Sequence, residues 1–434
     1  MVIHGTKNGS IFSDMQSLWY PYAQMRGLEI QNQVVSAQGV RINLRDGRSL
    51  IDAISSWWCV IHGYNHPVLN EALQDQATHF SHVMLGGLTH EPAQKLADKL
   101  VEITPEGLNH VFFADSGSVG MEVAMKMAVQ YWKNQGIAGK YRFASLLRGY
   151  HGDTTGVMSI GDPEEGMHHL FHDYLPEQFF VIPPVGCGGS RGTIYTSVAD
   201  SLANLHTTLL EHHSEIAAFV CEPLLQGAGG FNFYPPAFLA GARKLCDEFD
   251  VLMIIDEVAT GFGRTGTLFA MDQAGVSPDI LVLAKGLTAG YLGLSATIAK
   301  TRIFNAFLGD GYEKAFMHGP TFMGNALACS VALKSIELFE QGDYLQKIAR
   351  IEEILCEELI GFTAPGVREA RVLGACGVIE VTDPSVHNGL QAFAAERGVW
   401  LRPFNNVLYT MPAYVISEPD LRHICATMKA WFHQ

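Results

Sequence analysis

Basic residues are scarce in this chain of 434 residues: 29 Lys and Arg stand against 44 Asp and Glu, a formal net charge of −15 at pH 7. No basic run relieves the balance, so the phosphate backbone of a nucleic acid would be repelled and a nucleic-acid partner is not expected. Paired cysteines are missing as well. Cys59, Cys187, Cys221, Cys246, Cys329, Cys356, Cys376 and Cys425 are scattered and never form a Cys-x-x-Cys pair, which argues against a disulfide framework and against a zinc ribbon. The chain has no internal repeat, no low-complexity tract and no Pro/Ser-rich linker. Its 44 glycines are spread along the sequence, and with 48% hydrophobic and 17% charged residues the composition is that of a folded globular protein. Met1 to Tyr20 carry Ser, Asp, Asn and Gly where a signal peptide needs an unbroken apolar run, so a reduced, cytoplasmic protein is expected.

Long hydrophobic runs are also few. Ile280 to Ala299 is near spanning length with one charge, Lys285. Gly286, Gly290 and Gly293 weaken a helix there, and Pro278-Asp279 reads as a turn before a short buried strand, Ile280 to Ala284. No membrane span is expected. Lys285 then stands out as a lone ammonium ending an apolar run, where desolvation is costly unless the group is used.

What is present is alternation. Val111 to Asp115 is a short apolar run, followed by a segment in which Val119, Val123, Met127 and Tyr131 recur at helical spacing. Ala217 to Glu222, Val251 to Asp256 and Ile280 to Ala284 are almost wholly apolar, as strands buried on both faces are, and FLAGARKLCDEF between the first two has the composition of a crossover helix. The pattern predicts an α/β fold with a mostly parallel sheet. The ends carry more charge and shorter apolar runs. They predict a smaller α+β domain built from both termini, residues 1–65 and 328–434, around a large domain at 66–327.

Functional groups in open parallel sheets gather at the carboxyl ends of strands. Asp115, Glu222, Asp256 and Lys285 all fall there. A Lys beside an Asp on neighbouring strand ends suits pyridoxal phosphate, whose aldehyde the amine binds covalently while the carboxylate holds the pyridine nitrogen protonated. Asp115-Ser116-Gly117-Ser118, opening a helix after a strand, could cradle the phosphate, or could be a Ser N-cap and nothing more. GFGRTG, Gly261 to Gly266, matches the dinucleotide fingerprint G-x-G-x-x-G, and a nicotinamide-dependent oxidoreductase is the rival reading from another class. It begins five residues after Asp256 rather than in the tight turn, so a loop presenting Arg264 describes it better. His168, His169 and His172 lie close together without a supporting metal motif, so no metal site is expected; His82 and His90 read as packed residues or caps. Trp19 to Tyr22 and Ser55 to Trp58 suggest a pocket wall as well as core filler, and Arg402 in VWLRPF could clamp a substrate carboxylate or form a structural salt bridge.

VLMIIDEVATGFGRTG followed by PDILVLAKGLTAGY resembles the class III aminotransferases, pyridoxal phosphate enzymes of fold type I. SSWWCVIHGYNHP, SHVMLGGLTHEPA, FFADSGSVGMEVAMKMAVQYW, GYHGDT, EPLLQGAGG, FMHGPTFMGNALAC and GVWLRPFNNVLYTMP extend the resemblance from about Trp19 to the C-terminus. They resemble those members of the family that aminate 8-amino-7-oxononanoate in biotin biosynthesis. The resemblance implies pyridoxal 5′-phosphate as cofactor, S-adenosyl-L-methionine as donor and a homodimer with active sites at the interface. It implies that Lys285 carries the cofactor, Asp256 partners the pyridine nitrogen, Gly117 and Ser118 cradle the phosphate, and Tyr150 stacks on the ring and touches substrate. Pro320 and Thr321 would contact the phosphate from the second subunit, Gly319 would contact substrate, and Tyr22, Trp58 and Arg402 would line the substrate pocket, Arg402 meeting the carboxylate. The lysine motif, AKGLTAGYLGLSAT, departs from the commoner GKALTGG. That leaves lysine open as an alternative donor, and an omega-aminotransferase of the ornithine or 4-aminobutyrate type as an alternative activity. Val185 to Thr196 matches no recognised pattern.

Overall fold

A computed structural model describes residues 17–26, 32–185 and 196–434. Cys187 and most of the unmatched VGCGGSRGTIYT stretch lie outside the described residues. At the centre is a seven-stranded sheet in the order Leu108–Ala114, Ser295–Lys300, Ile280–Leu283, Leu252–Asp256, Ile216–Cys221, Arg142–Leu146, Phe179–Val181. Six strands run parallel. Ser295–Lys300 alone is antiparallel to both of its neighbours.

The reason for the near-continuous apolar strands is visible in where alternate residues go. Phe219, Cys221, Met253, Ile255, Leu281 and Leu283 belong to one core cluster, whereas Ala218, Val220, Leu252, Ile254, Ile280 and Val282 belong to another. Successive side chains point to opposite faces of a strand, and both faces here are covered by protein, so neither set can be polar. On the second face lies the helix Gly117–Asn134, burying Met121, Ala124, Met125, Ala128, Tyr131 and Trp132. Pro236–Glu248, the expected crossover helix, packs Phe238, Leu239, Ala242 and Cys246 on the first.

The segment Ile280 to Ala299 is therefore two antiparallel strands joined through a 3-10 turn at Lys285–Thr288. Among the described residues no helix is long and apolar enough to cross a membrane. Among the described residues three smaller sheets lie outside the central one. Val34–Gln38, Arg41–Leu44 and Ser49–Asp52 form antiparallel pairs, and Val399–Trp400 adds in parallel to Ser49–Asp52, so segments from both ends of the chain share one sheet. Val367–Leu373, Cys376–Val381 and Val407–Thr410 make a second, and Leu225–Gln226 with Asn232–Phe233 a two-stranded third.

GFGRTG does not form a dinucleotide site. It lies in turns beyond the strand that ends at Asp256, and the next regular element is only the 3-10 turn Ala270–Ala274, so no helix N-terminus is available for a pyrophosphate. The expectation that the loop presents Arg264 is also overturned. Arg264 is 1% exposed and donates to the carbonyls of Ala375 (3.2 Å), Pro412 (3.0 Å) and Trp58 (3.4 Å), strapping the loop to distant segments.

Candidate active site

Parallel strands that stop side by side leave a crevice at their carboxyl ends. Here it is a cavity of about 410 Å³ lined by Ser116, Gly117, Ser118, Tyr150, His151, Glu222, Asp256 and Lys285 with Trp58 and Cys59. A second cavity of about 730 Å³ is lined by Tyr22, Trp57, Trp58, Tyr150, Asp153, Phe231, Arg402 and Tyr409. Trp58, Tyr150 and Lys285 line both, so the lysine stands where the two chambers meet.

Lys285 follows the strand Ile280–Leu283 at φ +42°, a left-handed turn that ends the extended backbone just as the side chain enters the crevice. Its Nζ lies 4.7 Å from the Trp58 ring centroid. Burial lowers the ammonium pKa, and the charges of Asp256 and Glu222 draw it back only in part. Asp256, the last residue of its strand, is 4% exposed; one carboxylate oxygen meets His151 Nδ1 at 2.8 Å and the other accepts from the Val258 amide at 3.0 Å. Burial works to lower the His151 pKa, yet the hydrogen bond and charge of Asp256, with the charge of Glu222, outweigh it and hold the imidazole above its ordinary value. Glu222, beyond the end of Ile216–Cys221, accepts from the amides of Gly227 (3.0 Å) and Tyr150 (3.2 Å), and burial pushes its carboxyl up to about 7.

The Asp115–Ser118 segment does both things its sequence allowed. Ser116 caps the helix Gly117–Asn134, its hydroxyl accepting from the Val119 amide at 3.3 Å. The Gly117 and Ser118 amides head that helix, where no preceding turn accepts from them, and both residues line the cavity. The segment is closely packed: a Cβ on Gly117 would lie 2.8 Å from Val258 Cγ1, and at Gly152, φ +128°, a Cβ would collide with the Ser118 hydroxyl. Ser118 Oγ accepts from the Asp153 amide at 3.1 Å, joining the cradle to the Tyr150 loop.

In the larger chamber the Tyr22 hydroxyl donates to the Asp153 carboxylate at 2.9 Å and the Tyr150 hydroxyl donates to it at 3.0 Å. His168 Nε2 reaches the same carboxylate at 2.9 Å, and its ring stacks on Tyr150 with centroids 5.8 Å apart. At another wall the Arg402 guanidinium lies 5.1 Å from the Trp57 ring centroid. Gly319, Pro320 and Thr321 line neither chamber of their own chain, and the Thr321 carbonyl accepts from His82 Nε2 at 2.8 Å. His90 is a cap, its Nδ1 accepting from the Ala93 amide at 3.2 Å. Among the described residues no group of three or more His, Cys, Asp or Glu side chains could hold a metal.

The donor set suits pyridoxal phosphate. A lysine whose ammonium form burial disfavours, a buried carboxylate across the same cavity, and a helix N-terminus for a phosphate dianion are what that cofactor's aldehyde, pyridine nitrogen and phosphate each require. His151, whose Nε2 is buried without a hydrogen-bond partner, also lines this cavity. His151 and Asp153 carry no site signal in the sequence. Glu222 is marked there as an acid at a strand end, whereas the other two are only letters of GYHGDT.

Residues 22–432 match the family model described as aminotransferase class-III. The chain belongs to the class III aminotransferases. It is 46% identical over 423 residues to an adenosylmethionine-8-amino-7-oxononanoate aminotransferase of Mycobacterium leprae, covering 96% of this chain and 94% of that protein. The enzyme of the same name from Saccharomyces cerevisiae is 40% identical, with 97% and 95% covered. Among solved structures, the adenosylmethionine-8-amino-7-oxononanoate aminotransferase of Methanocaldococcus jannaschii matches with a TM-score of 0.89 at 33% identity, over 96% of each chain. A PLP-bound amine transaminase from an uncultivated Pseudomonas species matches at 0.91 and 29% identity, over 98% of this chain and 99% of that one.

Proposed function

We propose that this aminotransferase, holding pyridoxal phosphate on Lys285, aminates the ketone of 8-amino-7-oxononanoate to give 7,8-diaminononanoate in biotin biosynthesis, with S-adenosyl-L-methionine as donor. The observation that carries the substrate reading is the chamber beyond Lys285. It holds about 730 Å³, is apolar along Trp57, Trp58, Phe231 and Tyr409, and has Arg402 on its wall with no carboxylate in ion-pair reach among the described residues, as an acyclic acid with a ketone distant from its carboxylate requires. The relatives at 40 to 46% identity bear the name of that reaction.

When bound, pyridoxal phosphate supplies an aldehyde that takes up nitrogen and a ring that accepts the electron pair released at the substrate carbon. The chain does the rest. Lys285, freed when the incoming amine takes its place on the cofactor, would use its Nζ, kept easy to deprotonate by burial, to move the proton from the substrate carbon to the cofactor carbon that bore the aldehyde. Asp256 would hold the proton on the ring nitrogen, and His151, donating to Asp256 from Nδ1, fixes which oxygen faces the cavity. Gly117 and Ser118 would hold the phosphate, and Tyr150, anchored through Asp153, would cover the ring. Trp58 and the Tyr22 to Asp153 contact narrow the way in and exclude water.

Gly319, Pro320 and Thr321 sit outside both chambers of their own chain, so the proposal includes a homodimer in which this loop completes the partner's phosphate site. It also keeps a cytoplasmic location and the division at 1–65, 66–327 and 328–434. The test is to give the purified holoenzyme 8-amino-7-oxononanoate with S-adenosyl-L-methionine or with lysine and to detect the diamine. Diamine with the first donor supports the reading, and diamine with lysine alone reassigns the donor. Transfer only to unrelated ketones from simple amines makes it an omega-aminotransferase instead.

A further inference from the structure

Both tryptophans of SSWW ride on a left-handed turn. The φ angles are +49° at Ser55, +47° at Ser56, +55° at Trp57 and +76° at Trp58, and none of the four is glycine. In this region an L-residue crowds its Cβ against the neighbouring carbonyl, so such runs persist only where surrounding contacts hold them. The turn's own bonds run from the Trp58 amide to the Ile54 carbonyl (2.9 Å) and from the Cys59 amide to the Ser55 carbonyl (3.0 Å), which leaves the first amides without a partner inside the turn.

Asp52 supplies that partner. One carboxylate oxygen accepts from the Ile54 amide at 3.0 Å, and the other accepts from the Ser56 amide at 2.8 Å and from the Tyr64 hydroxyl at 2.6 Å. The side chain is 3% exposed, at the end of the strand Ser49–Asp52, so its position is fixed by the sheet that the two ends of the chain share. The turn in turn fixes Trp58 against Lys285 and Trp57 between Arg402 and Tyr22, whose ring lies 6.2 Å from it. We infer that Asp52 is a positioning residue for amino-acceptor recognition: by capping the left-handed turn it sets the two indoles that wall the substrate chamber. This rests on the substrate-chamber reading above, and it adds that acceptor specificity depends on a carboxylate that lines neither chamber.

The test compares the holoenzyme with Asp52→Asn, and with Asp52→Asn combined with Ser56→Gly. An amide in place of the carboxylate loses at least one acceptor, and the KM for 8-amino-7-oxononanoate should rise by about tenfold, the equivalent of one hydrogen bond to a charged group. Bound cofactor should stay near that of the unmodified protein, while Tm should fall by a few degrees, because a buried donor loses its acceptor. Glycine takes positive φ without the Cβ penalty, so Ser56→Gly should restore most of the lost affinity although it restores no charge. The near-ultraviolet circular dichroism of the tryptophans should change in Asp52→Asn and return in the double variant, a readout independent of turnover. An unchanged KM in Asp52→Asn overturns the inference. So does a glycine that rescues neither readout, which would place the effect in the charge of Asp52. Should Asp52→Asn fail to fold, Tyr64→Phe removes one of the three donors to the carboxylate and should raise the same KM by a smaller factor, with no change overturning the inference. If the unmodified holoenzyme never aminates 8-amino-7-oxononanoate, the substrate reading falls, and the dichroism with its glycine rescue still decides the role of Asp52.

Discussion

Arg402 and Arg264 are both buried or half-buried arginines near Trp57 and Trp58, and the structure assigns them opposite consequences on removal. Arg402 is half-buried, touches the Trp57 ring at 5.1 Å and has no ion-pair partner among the described residues. Arg402→Ala therefore forfeits little folding energy, about 0.5–1 kcal/mol for one cation–π contact, or a Tm drop of a few degrees at most. For substrate the loss is larger. Truncating one partner of a buried, hydrogen-bonded charge pair costs about 2–5 kcal/mol, and partial exposure of Arg402 argues for the lower part of that range. About 2–3 kcal/mol corresponds to a fall of roughly 30- to 150-fold in kcat/KM for 8-amino-7-oxononanoate.

Arg264 is the reverse case. It spans three backbone carbonyls and lies 4.8 Å from the Tyr414 ring centroid, 1% exposed. Arg264→Ala strands three acceptors at about 1–3 kcal/mol each, so the stability loss should reach about 3 kcal/mol or more. Steady-state kinetics on the acceptor and thermal unfolding of the same holoenzyme preparations check both arms. Arg402→Lys should recover part of the affinity, because an ammonium keeps the charge but lacks the planar fork. The reasoning is refuted if Arg402→Ala leaves the acceptor kcat/KM within twofold of the unmodified protein, or if it lowers Tm as far as Arg264→Ala does.

Lys285→Ala should abolish covalent attachment of the cofactor and nearly all turnover; borohydride reduction followed by peptide mapping should label Lys285, and a label on another lysine would reassign the anchor. Asp256→Asn should keep cofactor but lose rate by a factor on the order of a hundred, since an amide cannot offset the ring charge, and near-native single-turnover rates would reject that role. Glu222 gives a pH signature. Its folded pKa of about 7 is above the value of 4.5 for an ordinary glutamate, so its contribution to stability is complete below about 4.5 and is lost as pH rises through about 7, on the order of 3 kcal/mol. His151, also raised, acts in the same direction. The Tm of cofactor-free protein minus that of Glu222→Gln should therefore fall between about pH 4.5 and 7; a flat difference would show that the carboxyl is not held protonated.

Lys285 and Asp256 were legible because each is a charged residue at the end of a run that is otherwise apolar, and the sheet explains both halves of that pattern. Alternate residues of Leu252–Asp256 and Ile280–Leu283 enter two different core clusters, so polarity can begin only where the strands stop. His151 has no comparable signature. Its partner is 105 residues away, and the bond exists only because the Arg142–Leu146 and Leu252–Asp256 strands flank Ile216–Cys221 in the sheet, a topology that no spacing in the chain announces. Arg264 misled for a related reason. A glycine-flanked arginine reads as presented to solvent, but Gly263, at φ +95°, turns the loop inward toward Ile348 and Phe339, and the carbonyls that receive the guanidinium come from three other parts of the chain. The left-handed turn at Ser55–Trp58 is hidden most completely. Local sequence favours glycine wherever φ is positive, and this turn contains none, so its conformation is written in the carboxylate of Asp52 and in the carbonyl of Met411 that receives the Ser55 hydroxyl at 2.7 Å. A residue whose backbone disobeys its own preference needs such outside support, and here the support comes from both ends of the chain at once.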